Sequence, residues 1–333
     1  MPARIAVLIT ETLRDRIFSS ECWERLNSLG EVVMAARGDD LTAEAVRDAL
    51  AGARVCITGW GTPALNAQTL SRANSLGLMA HSAGTVKPLV SDALWDRGIR
   101  VTSGANVAAG DVAWTTVAMM VLARKNVFLL REHLREGKWG QLPGWPGGEL
   151  YGSVIGIVGA SHVGRQVMRI LDGVGARILL YDPCVASEEA GRLGADKLES
   201  LESLIRDSDI VSVHAPSLPE TRHMFNAANL ALLRDGSVFI NTARGALVDE
   251  QALIEVLRTR RVFACIDVTD PEPPAPDSPL RTLPNVLLTP HLAGMVGSGL
   301  KQLGEAVTEE VRRFLAGEPL VNEVTREMLP RLA

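Results

Sequence analysis

The sequence predicts an α/β protein with two doubly wound domains, each built on a parallel β-sheet that helices cover on both faces. Short, nearly all-apolar runs rich in Val and Ile alternate with longer helical patterns along most of the chain. Such runs are typical of parallel strands buried on both faces, and their spacing is that of repeated β-α-β units. A stretch rich in Gly, Pro and Trp, at residues 137–152, separates two series of these units.

Length and composition agree with this fold class. A chain of 333 residues is long enough for about two domains. Hydrophobic residues make up 47% and charged residues 22%, so a large core and an ordinary hydrated surface can both form.

The predicted elements follow in chain order. The first series predicts strands at residues 4–10, 54–58, 77–81 and 99–103. The second series predicts strands at residues 153–159, 176–182, 209–214, 237–242, 262–267 and 285–289. One long helix is expected at 111–136 and another helical pattern at 299–315. We therefore predict a discontinuous first domain, residues 1–108 plus 296–333, and a second domain at 109–295.

The composition argues against nucleic-acid and membrane-binding classes. The net charge is −5 and the charges are mixed along the chain, without a basic tract. The first residues carry charges throughout and lack the apolar core of a signal peptide, and we expect no apolar run long enough to span a bilayer. The four cysteines are far apart, which argues against a disulfide framework or a zinc site. We expect a cytoplasmic protein with reduced thiols and no bound metal.

A glycine-rich turn opens the second series of β-α-β units. A predicted strand runs into Gly159-Ala160-Ser161-His162-Val163-Gly164 and then into a helix. This matches the first and third glycines of G-x-G-x-x-G, the fingerprint that rests a dinucleotide pyrophosphate on a helix N-terminus. Ser161 stands where the second glycine is usual. It is the smallest substitute that also offers a hydroxyl donor, so binding remains plausible, although the motif alone is weak evidence.

The next predicted strand ends at Asp182. A carboxylate at this position accepts hydrogen bonds from the adenosine ribose diol and repels a 2′-phosphate. The following Pro183 and Cys184 offer no arginine for such a phosphate, so the sequence favours NAD over NADP. The alternative is that Asp182 is an ordinary acid in the turn after a strand.

The segment NTARGALVDEQAL, at residues 241–253, resembles the D-isomer-specific 2-hydroxyacid dehydrogenase family. The similarity runs over almost the whole chain and is strong in ELYGSVIGIVG, HAPSLPETRHMF, CIDVTDPEPP and LLTPHLAG. The resemblance implies two Rossmann-like domains: a flavodoxin-like substrate domain and an NAD-binding domain. It also implies NAD-dependent hydride transfer at C2 of a small 2-hydroxy or 2-keto acid, and a homodimer formed through the NAD-binding domain.

The resemblance places the catalytic residues at Arg244, Glu272 and His291. Histidine exchanges protons near neutral pH, and a neighbouring carboxylate would orient the imidazole and stabilise its protonated form. The planar guanidinium suits a substrate carboxylate and the charge that develops on the C2 oxygen. Alternatively, the three are a surface arginine, a hydrated acid and a core histidine. The residues expected to bind NAD are Gly159, Ser161, His162, Val163, Gly164, Asp182, His214, Ala215, Pro216, Thr221, Thr242, Ala243, Arg244, Asp267, His291 and Gly294.

The resemblance also places a substrate-carboxylate loop in the first domain. Its expected residues are Ala83, Gly84 and Thr85, acting together with Arg244 and His291. The chain departs from the family at Lys87, where an aspartate is usual, and at Trp114, where a glutamate is common. These departures leave the substrate open.

Two other functions compete with this interpretation. A formate enzyme on the same scaffold would carry glutamine in place of Glu272, so this chain argues against it. The other is an NAD(H)-sensing scaffold similar to the C-terminal-binding corepressors, which retain similar residues. We also expect no appended regulatory domain, because nothing beyond the short tail suggests one.

Overall fold

The computed structural model describes residues 2–145, 147–259 and 261–332. Pro146, in the loop predicted at 137–152, lies outside the described residues, as do Met1 and Ala333 at the ends of the predicted first domain. The chain divides into two compact units. Unit 1 comprises the residues up to Ala108 together with Met295–Leu332, and unit 2 comprises Ala109–Gly294.

The strands and helices are numbered in chain order. The strands are β1 (Ala3–Leu8), β2 (Gly30–Met34), β3 (Val55–Thr58), β4 (Leu78–His81), β5 (Arg100–Ser103), β6 (Val154–Val158), β7 (Arg177–Tyr181), β8 (Ala195–Lys197), β9 (Ile210–Val213), β10 (Val238–Asn241), β11 (Phe263–Ile266), β12 (Val286–Leu288) and β13 (Glu323–Val324). The helices are α1 (Glu11–Ile17), α2 (Ser20–Leu29), α3 (Ala43–Ala49), α4 (Asp92–Trp95), α5 (Ala105–Arg124), α6 (Val127–Arg135), α7 (His162–Leu171), α8 (Ser187–Arg192), α9 (Leu201–Asp207), α10 (Ala227–Leu230), α11 (Glu250–Thr259) and α12 (Lys301–Ala316).

Unit 1 contains a six-stranded sheet in the order β13-β5-β4-β3-β1-β2. Five strands are parallel, and β13 pairs antiparallel with β5 through Glu323–Thr102 and Val324–Val101. The parallel sheet was predicted, but this short antiparallel edge strand was not. An antiparallel edge strand on an otherwise parallel sheet is common in doubly wound folds, and two residues are too few to show a strand pattern in the sequence.

Unit 2 contains a seven-stranded, fully parallel sheet in the order β12-β11-β10-β9-β6-β7-β8. From β6 the chain builds outward to β8 and then returns to the other side of β6 to add β9. The switch point between β6 and β9 is where an open parallel sheet leaves a crevice for a ligand. The prediction of two doubly wound α/β sheets is confirmed.

One long helix was predicted at 111–136, and this was wrong. Helix α5 begins earlier, at Ala105, and the chain breaks at Asn126, whose φ of 53° is left-handed. The side-chain amide of Asn126 donates to the Trp145 carbonyl at 3.1 Å, and the Gly148 N–H donates to the Arg124 carbonyl at 2.7 Å. The Gly148 N–H therefore satisfies a carbonyl that the helix break frees, and the bond to Trp145 anchors the side chain of Asn126.

One described helix, α5, has 20 residues and is long and apolar enough to cross a bilayer by length and composition alone, which the sequence pattern did not predict. One side of α5 packs in the core of unit 2 through Ala113, Val117 and Met120. The opposite side is also apolar, with Trp114 63% and Val121 40% exposed. A helix that is apolar on both sides needs two partners.

Each sheet is covered by hydrophobic clusters on its two faces. In unit 1 one cluster includes Leu8 and Met79, and the other includes Ile57 and Val311. Each strand thus contributes alternate side chains to opposite faces. Phe225 and Phe239, whose ring centroids lie 5.1 Å apart, pack in one of the two clusters of unit 2.

A buried glutamate ties the last part of unit 1 to α12. Glu310 is 3% exposed, and its Oε1 accepts the Asn322 N–H at 2.9 Å and the Asn322 side-chain amide at 2.8 Å. Both carboxylate oxygens also lie 3.2 Å from the Val321 nitrogen. These bonds place the residues that lead into β13.

We predict that Glu310→Ala lowers the free energy of unfolding by about 3 kcal/mol, because it removes a buried, charged acceptor and leaves the Val321 and Asn322 donors unpaired. Urea denaturation measures the change. Glu327→Ala, at an exposed glutamate of the same unit, is the control. A Glu310→Ala change no larger than that of the control would show that the tail is held by other contacts.

Candidate functional site

The carboxyl ends of the unit 2 strands bring most of the predicted site residues to one edge of the sheet. Gly159 follows β6, Asp182 follows β7 and His214 follows β9. Thr242 follows β10, and Asp267 follows β11. In a parallel sheet these ends share one edge, at which ligands bind.

The glycine-rich turn leaves no room for side chains at its first and last glycines. Gly159 has a φ of 97°, and a Cβ there would lie 2.6 Å from the Ala215 nitrogen. A Cβ at Gly164 would lie 2.1 Å from the Gly159 carbonyl oxygen. Ser161 sits outside these close approaches as the N-cap of α7, where its hydroxyl accepts the Gly164 N–H at 3.4 Å. The turn thus keeps its geometry despite the missing second glycine.

Asp182 is tied to the same turn. Its Oδ2 accepts the Ala160 N–H at 2.8 Å, and its Oδ1 accepts the Cys184 N–H at 2.8 Å. The carboxylate is partly exposed, so each oxygen keeps capacity for a further donor. This arrangement combines the two interpretations of Asp182: it orders the turn and still presents a carboxylate beside it.

The segment after β9 packs against the turn. His214 is 3% exposed, and its Nε2 lies 2.8 Å from the Ser212 hydroxyl. Burial lowers the pKa of His214 to about 3, so the ring is neutral. Ala215 is also buried, and the Thr221 hydroxyl donates to the Pro216 carbonyl at 2.7 Å. These residues form a rigid wall with no charge beside the turn.

The turn after β10 presents Arg244. Asn241 is buried, its Oδ1 accepts the Ala243 N–H at 3.0 Å, and its amide donates to the Arg244 carbonyl at 2.9 Å. The guanidinium donates to the Ala243 carbonyl at 2.7 Å. Burial lowers the pKa of Arg244, and the nearby Glu272 carboxylate opposes this shift in part. Among the described residues, no carboxylate lies within 4.0 Å of this guanidinium, so most of its donors are open to a ligand anion.

Asp267 holds the loop that carries His291. Its Oδ1 accepts the Thr289 hydroxyl at 2.6 Å and the Leu292 N–H at 2.8 Å, and its Oδ2 accepts the Ala293 N–H at 3.0 Å. Its own carbonyl accepts the His291 N–H at 2.9 Å. Asp267 is 2% exposed. His291 has a left-handed φ of 53°, which is unusual for a residue other than glycine, and these bonds hold it there.

His291 and Glu272 form a direct pair. His291 Nδ1 lies 2.6 Å from Glu272 Oε1, and the side chains are 48% and 43% exposed. Both line a pocket of about 530 Å³, together with Asp267, Thr269 and Thr289. The imidazole is therefore oriented by a carboxylate and remains accessible from outside. Gly294, the last predicted NAD-binding residue, follows this loop.

The predicted substrate loop lies in unit 1, at the end of β4. Ala83 is 1% exposed, and its carbonyl accepts the Gly104 N–H at 2.9 Å. In the described part of the chain, the N–H groups of Gly84 and Thr85 meet no hydrogen-bond acceptor. His81 is buried beneath the loop, 2.9 Å from the Thr58 hydroxyl. Burial lowers its pKa to about 4, and a hydrogen bond to the Thr85 backbone opposes this shift.

Sequence reasoning missed two polar residues that shape the site. Asn241 could have been found, because asparagine two residues before a turn commonly bonds to its own backbone. Thr116, on α5, lies 2.8 Å from Thr242 through the two hydroxyl oxygens. Nothing in the sequence links these positions, which are 126 residues apart.

The residues present fit a dinucleotide. The close approaches at both glycines leave a bare backbone cradle at the start of α7, with a carboxylate at the end of the neighbouring strand. Among the described residues, no group of three or more His, Cys, Asp or Glu side chains is arranged to hold a metal ion.

Comparisons with known proteins agree with this geometry. A family model described as "D-isomer specific 2-hydroxyacid dehydrogenase, NAD binding domain" matches residues 117–293. The glyoxylate reductase of Korarchaeum cryptofilum is 33% identical over 273 residues, covering 80% of this chain and 82% of that protein. The D-mandelate dehydrogenase structure from Rhodotorula graminis superposes with a TM-score of 0.81 at 25% identity, covering 98% of each chain.

The chain therefore belongs to the D-isomer-specific 2-hydroxyacid dehydrogenase family, and the prediction of an NAD-binding domain is confirmed. It is also similar to the D-3-phosphoglycerate dehydrogenase of Methanocaldococcus jannaschii, at 29% identity over 328 residues. That match covers 98% of this chain and 60% of the relative, so the chain spans well under two thirds of that protein's length.

We predict that Asp267→Asn lowers the free energy of unfolding by about 1–3 kcal/mol, because an amide nitrogen in place of Oδ2 cannot accept the Ala293 N–H. Hydrogen exchange should show faster exchange of the Leu292 and Ala293 amides. Asp277→Asn, at an exposed acid of the same unit, serves as the control. Unchanged exchange at both amides would contradict the anchoring role.

Proposed function

We propose that this protein is an NAD-dependent dehydrogenase that transfers a hydride between NAD(H) and C2 of a small D-2-hydroxy acid or the matching 2-keto acid. The observation that carries the proposal is the 2.6 Å contact between His291 Nδ1 and Glu272 Oε1. This pair lies in the same unit as the glycine-rich turn and Arg244. Family membership and the NAD-binding domain support the reaction class.

His291 acts as the acid and base. When Glu272 accepts a hydrogen bond from Nδ1–H, Nε2 is the nitrogen left to exchange a proton with the substrate oxygen on C2. The carboxylate stabilises the imidazolium that forms during oxidation of the hydroxy acid. NADH, when bound, supplies the hydride for the reverse reaction.

Arg244 binds and polarises the substrate. Its guanidinium is partly buried and carries unpaired donors in a planar fork, which matches a carboxylate and an adjacent oxygen. A desolvated cation also stabilises negative charge on the C2 oxygen more than a hydrated one would. In unit 1, the N–H groups of Gly84 and Thr85 meet no acceptor among the described residues, so they too are donors of the kind that bind a carboxylate.

We further propose NAD rather than NADP as the cofactor, since Asp182 would repel a 2′-phosphate. The substrate is a small acid of the kind named for the relatives, which include a glyoxylate reductase and a D-3-phosphoglycerate dehydrogenase. The four cysteines are free, which supports a reducing, cytoplasmic location.

We predict NADH-dependent turnover with at least one of glyoxylate, hydroxypyruvate and pyruvate, or NAD⁺-dependent oxidation of 3-phosphoglycerate. Arg244→Lys should lower kcat/KM about 10²-fold, because a single ammonium cannot replace the fork of donors. A steady-state assay that follows NADH absorbance measures turnover. Fluorescence titration measures the Kd for NADH, which should change less than about threefold in the variant.

Arg234→Lys, at an exposed arginine of the same unit that pairs with Asp209, is the matched control. The alternative, a cofactor-sensing scaffold, predicts NADH binding without turnover in the wild-type protein. Binding of NADH with no turnover on any acid of the panel would therefore reject the dehydrogenase proposal.

We also propose that the protein is a homodimer formed through unit 2. The exposed side of α5 carries Trp114, Val121 and Leu122, which follow helical spacing and include no charge. Val127 and Leu134, on α6, are 38% and 48% exposed. A second copy would cover these side chains, and several large exposed apolar side chains on neighbouring helices favour an association site.

We predict that Trp114→Glu converts the dimer to a monomer, because it places a charge in the proposed apolar interface. Sedimentation velocity over a range of concentrations measures the mass. Trp60→Glu, at a 51% exposed tryptophan of unit 1, should leave the mass unchanged. A wild-type protein that sediments as a monomer at all concentrations would reject the interface.

A further inference from the structure

Two buried hydroxyls meet at the end of β10. The Thr116 side chain, on α5, is fully buried, and Thr242 is 7% exposed. Their Oγ1 atoms lie 2.8 Å apart. Thr116 Oγ1 also lies 2.8 Å from the carbonyl oxygen of Val112, one helical turn earlier. All three residues belong to unit 2.

These contacts fix the direction of both hydrogen bonds. A carbonyl oxygen only accepts, so the short contact with Val112 is a hydrogen bond only if Thr116 donates. A hydroxyl has one hydrogen, and Thr116 has then used it. The contact between the two hydroxyls must therefore use the hydrogen of Thr242. Thr242 Oγ1 is left with lone pairs and no hydrogen to give, and within the described residues it has no other hydrogen-bond partner.

The fold indicates which half of a bound dinucleotide would lie beside Thr242. The glycine-rich turn at β6 marks the pyrophosphate, and Asp182 at β7 marks the adenosine ribose. The other half of the cofactor would then lie on the opposite side of the turn, where the sheet order places the ends of β9, β10 and β11. Thr242 lies at the end of β10, two residues before Arg244. That half carries nicotinamide, whose carboxamide has one N–H₂ donor and one carbonyl acceptor.

We propose that Thr116 is a positioning residue that fixes Thr242 as a hydrogen-bond acceptor for the nicotinamide carboxamide N–H. This inference rests on the proposed NAD site. Because Thr242 cannot donate, it favours the amide over the carbonyl of the carboxamide. It thereby selects one of the two orientations of that group, and it disfavours an analogue whose group has no N–H.

The test compares NADH with reduced 3-acetylpyridine adenine dinucleotide, in which a methyl group replaces the amide nitrogen. The Kd of each is measured by calorimetry in wild-type protein, Thr116→Val and Thr116→Ser. Wild type should bind NADH about five- to tenfold more tightly than the analogue. Thr116→Val keeps the side-chain shape but frees the Thr242 hydrogen to donate to the acetyl carbonyl, so the ratio should fall to about twofold or less. Thr116→Ser keeps the hydroxyl and should keep the wild-type ratio.

Thr116→Ser separates this role from a structural one, because a packing effect would respond to the lost methyl group and not to the hydroxyl. If Thr116→Val does not fold, Thr242→Val replaces it, and its ratio should also fall to about twofold or less. An unchanged ratio in the folded variant would overturn the inference. Failure of wild-type protein to bind NADH would instead reject the proposed function, so the two failures are distinguishable.

Discussion

The buried carboxylate of Asp267 is the interaction on which the candidate site depends. Asp267 follows β11 and binds three donors of the 289–293 loop through its two oxygens. Burial of a carboxylate is costly unless such donors compensate it. The same bonds hold His291 at its left-handed φ and bring its imidazole to Glu272. The contact between His291 and Glu272 thus depends on the hydrogen bonds made at the end of one strand.

The parallel sheet of unit 2 supplies the rest of the arrangement. Because its strands are all parallel, their carboxyl ends lie at one edge of the sheet. Residues from segments far apart in the sequence therefore come together there. Asn241 then sets the turn that carries Arg244, and Gly245 keeps it close to the next segment, since a Cβ there would lie 2.0 Å from the Thr269 carbonyl carbon. The close packing of the Gly245 and Thr269 backbones, together with the bonds of Asn241, therefore positions the Arg244 guanidinium.

Most of the fold could be predicted from sequence, because strands buried on both faces leave uninterrupted apolar runs. The ten predicted strands all exist, shorter by a residue or two at their ends. Three strands were missed: β2, which is partly exposed, and β8 and β13, which are too short to show a pattern. The break at Asn126 was missed because bonds to Trp145 and Gly148, and not local propensity, stabilise it.

The candidate site could be predicted in part. The positions of Arg244, Glu272 and His291 came from motifs, and the structure shows the last two in contact. The anchoring bonds of Asp267 and the hydroxyl pair of Thr116 could not be predicted, because each depends on a contact between distant segments that carries no local signal. Sequence motifs identify the candidate reactive side chains, whereas the residues that orient those side chains are seen only in the folded structure.

The antiparallel edge strand β13 has a consequence for biosynthesis. The sheet of unit 1 needs residues from both ends of the described chain, whereas unit 2 is continuous from Ala109 to Gly294. On the ribosome, unit 2 can complete its sheet while the first strands still wait for α12 and β13. Until Glu323 and Val324 emerge, the unpaired edge of β5 is open to other nascent chains. The late residues therefore pair the edge of β5 and cover backbone groups that would otherwise be exposed.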